Sequence, residues 1–300
     1  MPEGMDTMDP DETAGDTITI AGVSEKLGIP VPTIRSWERR YAFPSPARTS
    51  GRHRRYTRTD VEQLRALRDA ITQGYPAREA VGLVRNGGAV DPTQRSQVDA
   101  LLRAAVDLDP DAARTVLQEV TDAVGPEQAA VRVALPALQE VGARWKAGTC
   151  DVAGEHLMSD AVRAWLARLR TLAPPPRGPM PIVLSCGPKE LHSIGLEAFG
   201  MILARRRWSV LLLGALTPTQ SLVKAIKDTR ASAAVVVAQR SVNRRSTIES
   251  IAAVEQVPGV RVFFGGGAFS SPASRRGVPG TYLGTDLVAA ADSVDLTVLR

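Results

Sequence analysis

The residues best suited to chemistry lie between Trp145 and His192. One run reads Glu190-Leu191-His192-Ser193-Ile194-Gly195, between an apolar stretch (181–185) and a helical pattern (193–206). An imidazole on a loop leaving a strand projects beyond the sheet edge, where ligands collect in open α/β sheets. A carboxylate two residues before it can hold one ring nitrogen and make the other a better metal donor. Gly195 lets a bulky group approach the backbone at the helix start. By itself, His192 also reads as a hydrogen-bonded loop histidine. The second run is Trp145, nine residues, then Glu155-His156, and by itself Trp145 also reads as bundle core. Cys150 and Cys186 form no metal-spacing motif and read as reduced thiols, the state expected in the cytoplasm.

The elements that must position these groups follow from periodicity and punctuation. Residues 97–172 are helical throughout, with Val98, Leu101, Leu102 and Ala105 on one face, Pro110 and Pro126 near helix starts and Asp151 able to cap the last helix. Four helices joined by short loops predict a small bundle. Residues 86–96 and the proline-rich 173–181 read as linkers. Beyond 181 the chain alternates apolar strands (182–185, 210–213, 234–238, 260–264) with helices (193–206, 217–229, 246–257), and Gly265, Gly266 and Gly267 follow the fourth strand. That alternation predicts a parallel sheet covered on both faces. Thr285 is expected to cap a final helix, with Asp286 in its first turn.

The other end of the chain differs in charge. Residues 35–58 hold eight arginines against one acid, Glu38, with Trp37, Tyr41, Phe43 and Tyr56 interleaved. A charge run is usually a solvated face, but the aromatics favour a folded surface that contacts nucleic acid. Apolar positions Ile20, Val23, Leu27 and Ile29, a stop at Gly28 and a second helix from Pro32 to about Tyr41 make a helix-turn-helix. Residues 44–56 read as a hairpin wing, and Thr59 with Glu62 as the capping box of a third helix. Trp37 and Tyr56 are expected to pack between helix and wing. Residues 1–16 hold six acids and no base, unlike a signal or transit peptide, and read as a disordered tail.

Residues 17–86 resemble the MerR family of winged-helix regulators. The match is carried by Thr33-Ile34-Arg35-Ser36-Trp37-Glu38-Arg39-Arg40-Tyr41, Pro46-Ala47-Arg48-Thr49 and Gly51-Arg52-His53-Arg54-Arg55-Tyr56. The resemblance implies that Thr33 and Arg35 approach base edges in the major groove of double-stranded operator DNA. It implies that Arg39, Arg40 and Tyr41, with Arg48, Arg52, His53, Arg54 and Arg55 on the wing, meet the backbone or minor groove. His53 is expected on a phosphate rather than on a metal.

Residues 97–295 resemble the helical-bundle plus Rossmann-like module that binds cobalamin in methionine synthase and in CarH-type light-responsive repressors. Glu190-x-His192-x-x-Gly195 matches that family's Asp/Glu-x-His-x-x-Gly motif, which makes His192 the lower axial cobalt ligand. Gly265, Gly266 and Gly267 match the diglycine that makes room for the nucleotide tail. Trp145, Val152, Glu155 and His156 match the bundle motif over the upper face, where an adenosyl group sits. The chain departs from the pattern twice. Lys146 stands where the light-responsive group has a second histidine, and Ala238-Gln239-Arg240-Ser241 stands at the family's Ser-x-Leu/Thr stretch, so Gln239 and Ser241 are the candidates there.

The implied protein is multidomain, α and α/β: a winged helix (17–86), a four-helix bundle (97–172) and a flavodoxin-like parallel-sheet domain (181–300). It is expected to be a cytoplasmic cobalamin-dependent repressor that self-associates as a dimer or tetramer. No apolar run approaches the roughly 20 residues needed to cross a membrane. Two alternatives stand beside this reading. One is a regulator whose sensor domain has lost cobalamin or light response. The other is a cobalamin-carrying enzyme module, which needs a partner catalytic domain that does not fit in this length.

Overall fold

The computed structural model describes residues 17–48, 54–72, 77–85, 92–146, 148 and 150–298. The expected acidic tail, Arg52 and His53 lie outside the described residues. The chain divides into two compact units, 1–95 and 96–300.

In the first unit, α1 (Ile20–Leu27) begins at Thr19, whose hydroxyl accepts from the Gly22 N–H, and ends at Gly28, left-handed at φ 67°. Helix α2 (Val31–Tyr41) follows after two residues, with Pro32 in its first turn where no intrahelical donor is needed. Strands β1 (Ala47–Arg48) and β2 (Arg54–Arg55) pair antiparallel as the wing, and Tyr56 closes the unit by an antiparallel bridge to Ile18. That bridge holds the chain extended through Tyr56, so α3 (Arg58–Thr72) is capped earlier than the sequence suggested. The capping residue is Thr57, not Thr59: its Oγ1 accepts from the Asp60 N–H and Asp60 Oδ2 accepts from the Thr57 N–H. Helix α4 (Ala77–Arg85) completes the unit. Val23, Ile34, Trp37, Phe43, Tyr56, Leu64 and Leu67 form its core, with Trp37 and Tyr56 buried as expected.

The division between the units falls within α5 (Pro92–Val106), so Pro92 to Ser96, read as linker, is helical. Pro110 and Pro126 occupy the first positions of α6 (Pro110–Val124) and α7 (Pro126–Ala129). The latter continues through a π-helical turn (Ala130–Ala134) into α8 (Leu135–Lys146). Asp151 caps α9 (Val152–Thr171), accepting from the Ala153 N–H.

The sheet comprises β3 (Ile182–Cys186), β4 (Val210–Gly214), β5 (Ala233–Val237), β6 (Arg261–Gly265) and a short β7 (Thr281–Tyr282) that the sequence pattern does not reveal. All five run parallel in the order β4-β3-β5-β6-β7, the doubly wound order of flavodoxin-like folds. Helices α10 (Ile194–Arg205) and α14 (Leu287–Val298) cover one face; α11 (Thr219–Thr229) and α12 (Arg244–Glu255) cover the other. A single turn, α13 (Pro272–Arg275), precedes β7. The cap of α14 is Asp286 rather than Thr285: its Oδ1 accepts from Val288 and Ala289 N–H. The bundle is continuous with the sheet. Leu101, Leu117, Met158 and Leu166 share one buried cluster with Ile182, Leu184, Phe199 and Phe263.

Candidate cofactor site and nucleic-acid interface

Two loops meet where the strand order reverses, between β3 and β5. Glu190, on the loop after β3, is fully buried and bonded at both oxygens. Its Oε2 accepts from the backbone N–H of Gln239 (2.9 Å) and Arg240 (3.0 Å) and from the Asn243 amide (3.0 Å), all from the loop after β5. Its Oε1 accepts from the His192 backbone N–H at 2.9 Å and lies 2.6 Å from His192 Nδ1. Burial alone would push this carboxyl up, but the donors at Arg240, Asn243 and His192 outweigh it and hold Glu190 at about 2. It is therefore an anion beside Nδ1, the arrangement in which a carboxylate orients an imidazole and leaves Nε2 for a ligand. The His192 side chain is 57% exposed. The Leu216 N–H, on the loop after β4, donates to the Glu190 carbonyl at 2.9 Å and fixes the third side of the loop.

The glycines divide by what surrounds them. A Cβ on Gly266, at φ 95°, would stand 2.3 Å from the Ala238 carbonyl oxygen, so this residue is required by the backbone itself. A Cβ on Gly267 would crowd the Gln239 carbonyl at 3.0 Å. Buried Gly265 has nothing within 4 Å of that position, and Gly195 has only Gln239 Nε2 at 3.7 Å. Space therefore remains beside the end of β6 and the start of α10. Gln239 Oε1 accepts from the Gly267 N–H, which leaves its Nε2 toward Gly195. Ser241 is exposed in the short turn that follows. Leu191, Leu216 and Val242, one from each of three loops at the strand ends, are exposed apolar side chains. Sequence reasoning missed them and missed Asn243. An apolar residue in a polar loop was the available signal, but only the fold puts three of them at the strand ends. Cys186 lies below, where burial, then Glu190 and Glu197, push its thiol up to about 12, so it is not a thiolate donor.

Trp145 lies in the last turn of α8, and α9 carries Val152, Glu155 and His156. Val152, His156 and Arg163 fall four and seven residues apart and share a face, His156 and Arg163 being separated by about 10 Å along the axis. Arg163 Nη1 donates to Ser193 Oγ at 3.2 Å and to Glu197, so that face adjoins the residue after His192. Trp145 and Val152 are 48% and 42% exposed, so neither is buried in the bundle core. His156 is exposed, its Nε2 lying 3.6 Å from Glu155 Oε2. Glu155 in turn accepts from Ser159 Oγ at 2.9 Å.

In the first unit, α2 presents Arg35, Arg39 and Arg40 to solvent, with Thr33 and Tyr41 half-buried. Arg48 and Arg55 sit on the two wing strands. Arg54 turns inward: its Nε donates to Glu38 Oε2 at 2.6 Å.

Comparison with known proteins places these two surfaces in one family. Residues 18–86 match the MerR HTH family regulatory protein model, and residues 97–170 match the B12 binding domain model. The HTH-type transcriptional repressor CarH of Myxococcus xanthus is 34% identical over 224 residues, 70% of this chain and 75% of that protein. The chain belongs to the family of cobalamin-binding, MerR-type transcriptional regulators. A second member, the repressor CarA of the same organism, is 33% identical over 218 residues, 71% of this chain and 74% of that protein. For the fold, the monomethylamine corrinoid protein of Methanosarcina barkeri superposes with a TM-score of 0.55 at 14% identity, covering 67% of this chain and 98% of that one. The cradle fits the family's cofactor: one imidazole oriented by Glu190 and unfilled space at Gly195 and Gly265. Among the described residues no three His, Cys, Asp or Glu groups gather as a metal site, so His192 alone would hold a metal that a cofactor brings. Among them, too, no helix is long and apolar enough to cross a membrane.

Proposed function

We propose that this regulator is a repressor that binds adenosylcobalamin through His192 Nε2 and reports the state of the cofactor's upper face to operator DNA. The observation that carries the reading is Glu190, whose buried, fully bonded carboxylate orients the imidazole. Gly265 and Gly195 leave room for the nucleotide tail, with Gln239 Nε2 and Ser241 beside it. Trp145, Val152, Glu155 and His156 cover the opposite face from the bundle. When bound, the cofactor supplies a cobalt–carbon bond that light can break. Trp145, Val152, Glu155 and His156 would hold that face of the cofactor, and a change in the group they hold would shift the balance between assemblies of the protein. Such coupling requires the cofactor to favour one assembly over the other. Two or four winged helices of one assembly would grip the operator together, with Thr33 and Arg35 toward bases and Arg39, Arg40, Tyr41, Arg48, Arg52, His53 and Arg55 on the backbone. Lys146 is exposed at the end of α8. Lysine offers hydrogen-bond donors where the resemblance places a second histidine, so His192 would hold the cofactor without that second imidazole.

The experiment is an absorption spectrum of protein incubated with adenosylcobalamin in the dark, desalted, then lit with green light. The expected result is retained cofactor with a His-ligated spectrum that changes on illumination and a photoproduct that washes off. His192→Ala is expected to lose that spectrum. Retention with an unchanged spectrum in the variant refutes the ligand assignment, and no retention by the wild type refutes the sensor reading.

A further inference from the structure

We propose that Arg54, together with Glu38 and Tyr56, braces the wing against the recognition helix and does not neutralise a DNA phosphate. The inference rests on reading the first unit as the DNA-binding one. Glu38, the single acid among the eight arginines of 35–58, sits on α2 with its side chain only 10% exposed. Both of its oxygens are engaged from the wing side: Oε2 by Arg54 Nε at 2.6 Å, and Oε1 by the hydroxyl of Tyr56. Tyr56 is fully buried and leads directly out of β2, so the carboxylate ties the strand to the helix at two alternate residues, 54 and 56.

Withdrawing Arg54 to reach a phosphate would leave a nearly buried carboxylate without its counter-charge, which is the costly way to break an ion pair. A guanidinium already neutralised in this way releases no counterions from DNA. Because alternate side chains of a strand face opposite sides, the turn of Arg54 toward α2 leaves Arg55 facing away from it. Arg54 is thus a positioning residue that sets the angle of the wing, while Arg55 remains available for the backbone.

The test uses the full-length protein and a fluorescent duplex selected by it from a random pool, with affinity measured across a salt series. Each phosphate ligand contributes about 0.9 to the slope of log K against log salt. Arg55→Gln and Arg39→Gln are expected to flatten the slope by about that amount for each protomer bound. Arg54→Gln and Glu38→Gln are expected to weaken binding severalfold with the slope unchanged, and the double variant to cost no more than either single one. Tyr56→Phe, which keeps the ring in the core and both charges in place, is expected to weaken binding at the wild-type slope; it decides the matter if Arg54→Gln does not fold. The assignment is overturned if Arg54→Gln flattens the slope as Arg55→Gln does, if the two single losses add, or if Tyr56→Phe binds as tightly as the wild type. A wild type that binds no duplex overturns the DNA reading itself, which the slope comparison keeps separate from failure of the brace.

Discussion

At the scale of single residues, the site depends on a carboxylate whose charge is costly to bury and is stabilised only by what surrounds it. Glu190 is depressed from 4.5 to about 2, so its contribution to stability is fully present above pH 4.5 and is lost as pH falls toward 2. The amount is on the order of 3 kcal/mol. Denaturant unfolding of the wild type and Glu190→Gln should therefore show a gap that narrows over that window, and a constant gap would contradict the hydrogen-bond account. The glycines give a second test at this scale. Gly266→Ala puts a Cβ 2.3 Å from a carbonyl oxygen at φ 95° and should destabilise the unit by about 1–3 kcal/mol. Gly265→Ala meets nothing within 4 Å, so its melting temperature should match the wild type while adenosylcobalamin retention after desalting falls. Sequence grouped these glycines as one motif; their different surroundings separate a backbone requirement from a space left for something else.

At the scale of elements, most of the helices and strands were legible because periodicity and proline or glycine punctuation agreed. Their ends were not. Thr59–Glu62 and Thr57–Asp60 both have the spacing of a cap, and only the bridge of Tyr56 to Ile18 decides that the chain is still extended at Thr57. Thr57→Ala should lower the stability of the first unit by about 1 kcal/mol, while Thr59→Ala should leave its thermal melt unchanged. Thr285 and Asp286 pose the same ambiguity, resolved by two backbone donors that reach Asp286. The strand β7 escaped notice because two residues carry no readable period, and the extra helical turn at Pro92 because a polar stretch can be helical once its neighbours pack.

For the whole molecule, the clustering of eight arginines against one acid in residues 35–58 is a statement about partners and their salt dependence. Six phosphate contacts per dimer would give a slope of about −5 in log K against log salt. A binding curve that stays flat between low and physiological salt would remove the operator assignment. Arg163 shows how the second unit is joined: it reaches from the bundle to Ser193 and Glu197, so a change at the face bearing Val152 and His156 acts on an element adjoining the His192 loop.

The sequence by itself determined the parts. Local spacing is enough to specify a helix-turn-helix, an arginine-rich wing, a strand–loop–helix with its Glu-x-His-x-x-Gly, and the parallel alternation that follows, because each depends on neighbours a few residues apart. The tertiary structure decided how those parts are used. It brought Asn243 and the Gln239 and Arg240 amides, some fifty residues away, onto Glu190, and tied the Leu216 N–H to the Glu190 carbonyl. It also turned Arg54 away from solvent onto Glu38, sixteen residues earlier in the chain. Burial and hydrogen-bond partners at long separation set protonation, orientation and availability, and no pattern along the chain encodes them.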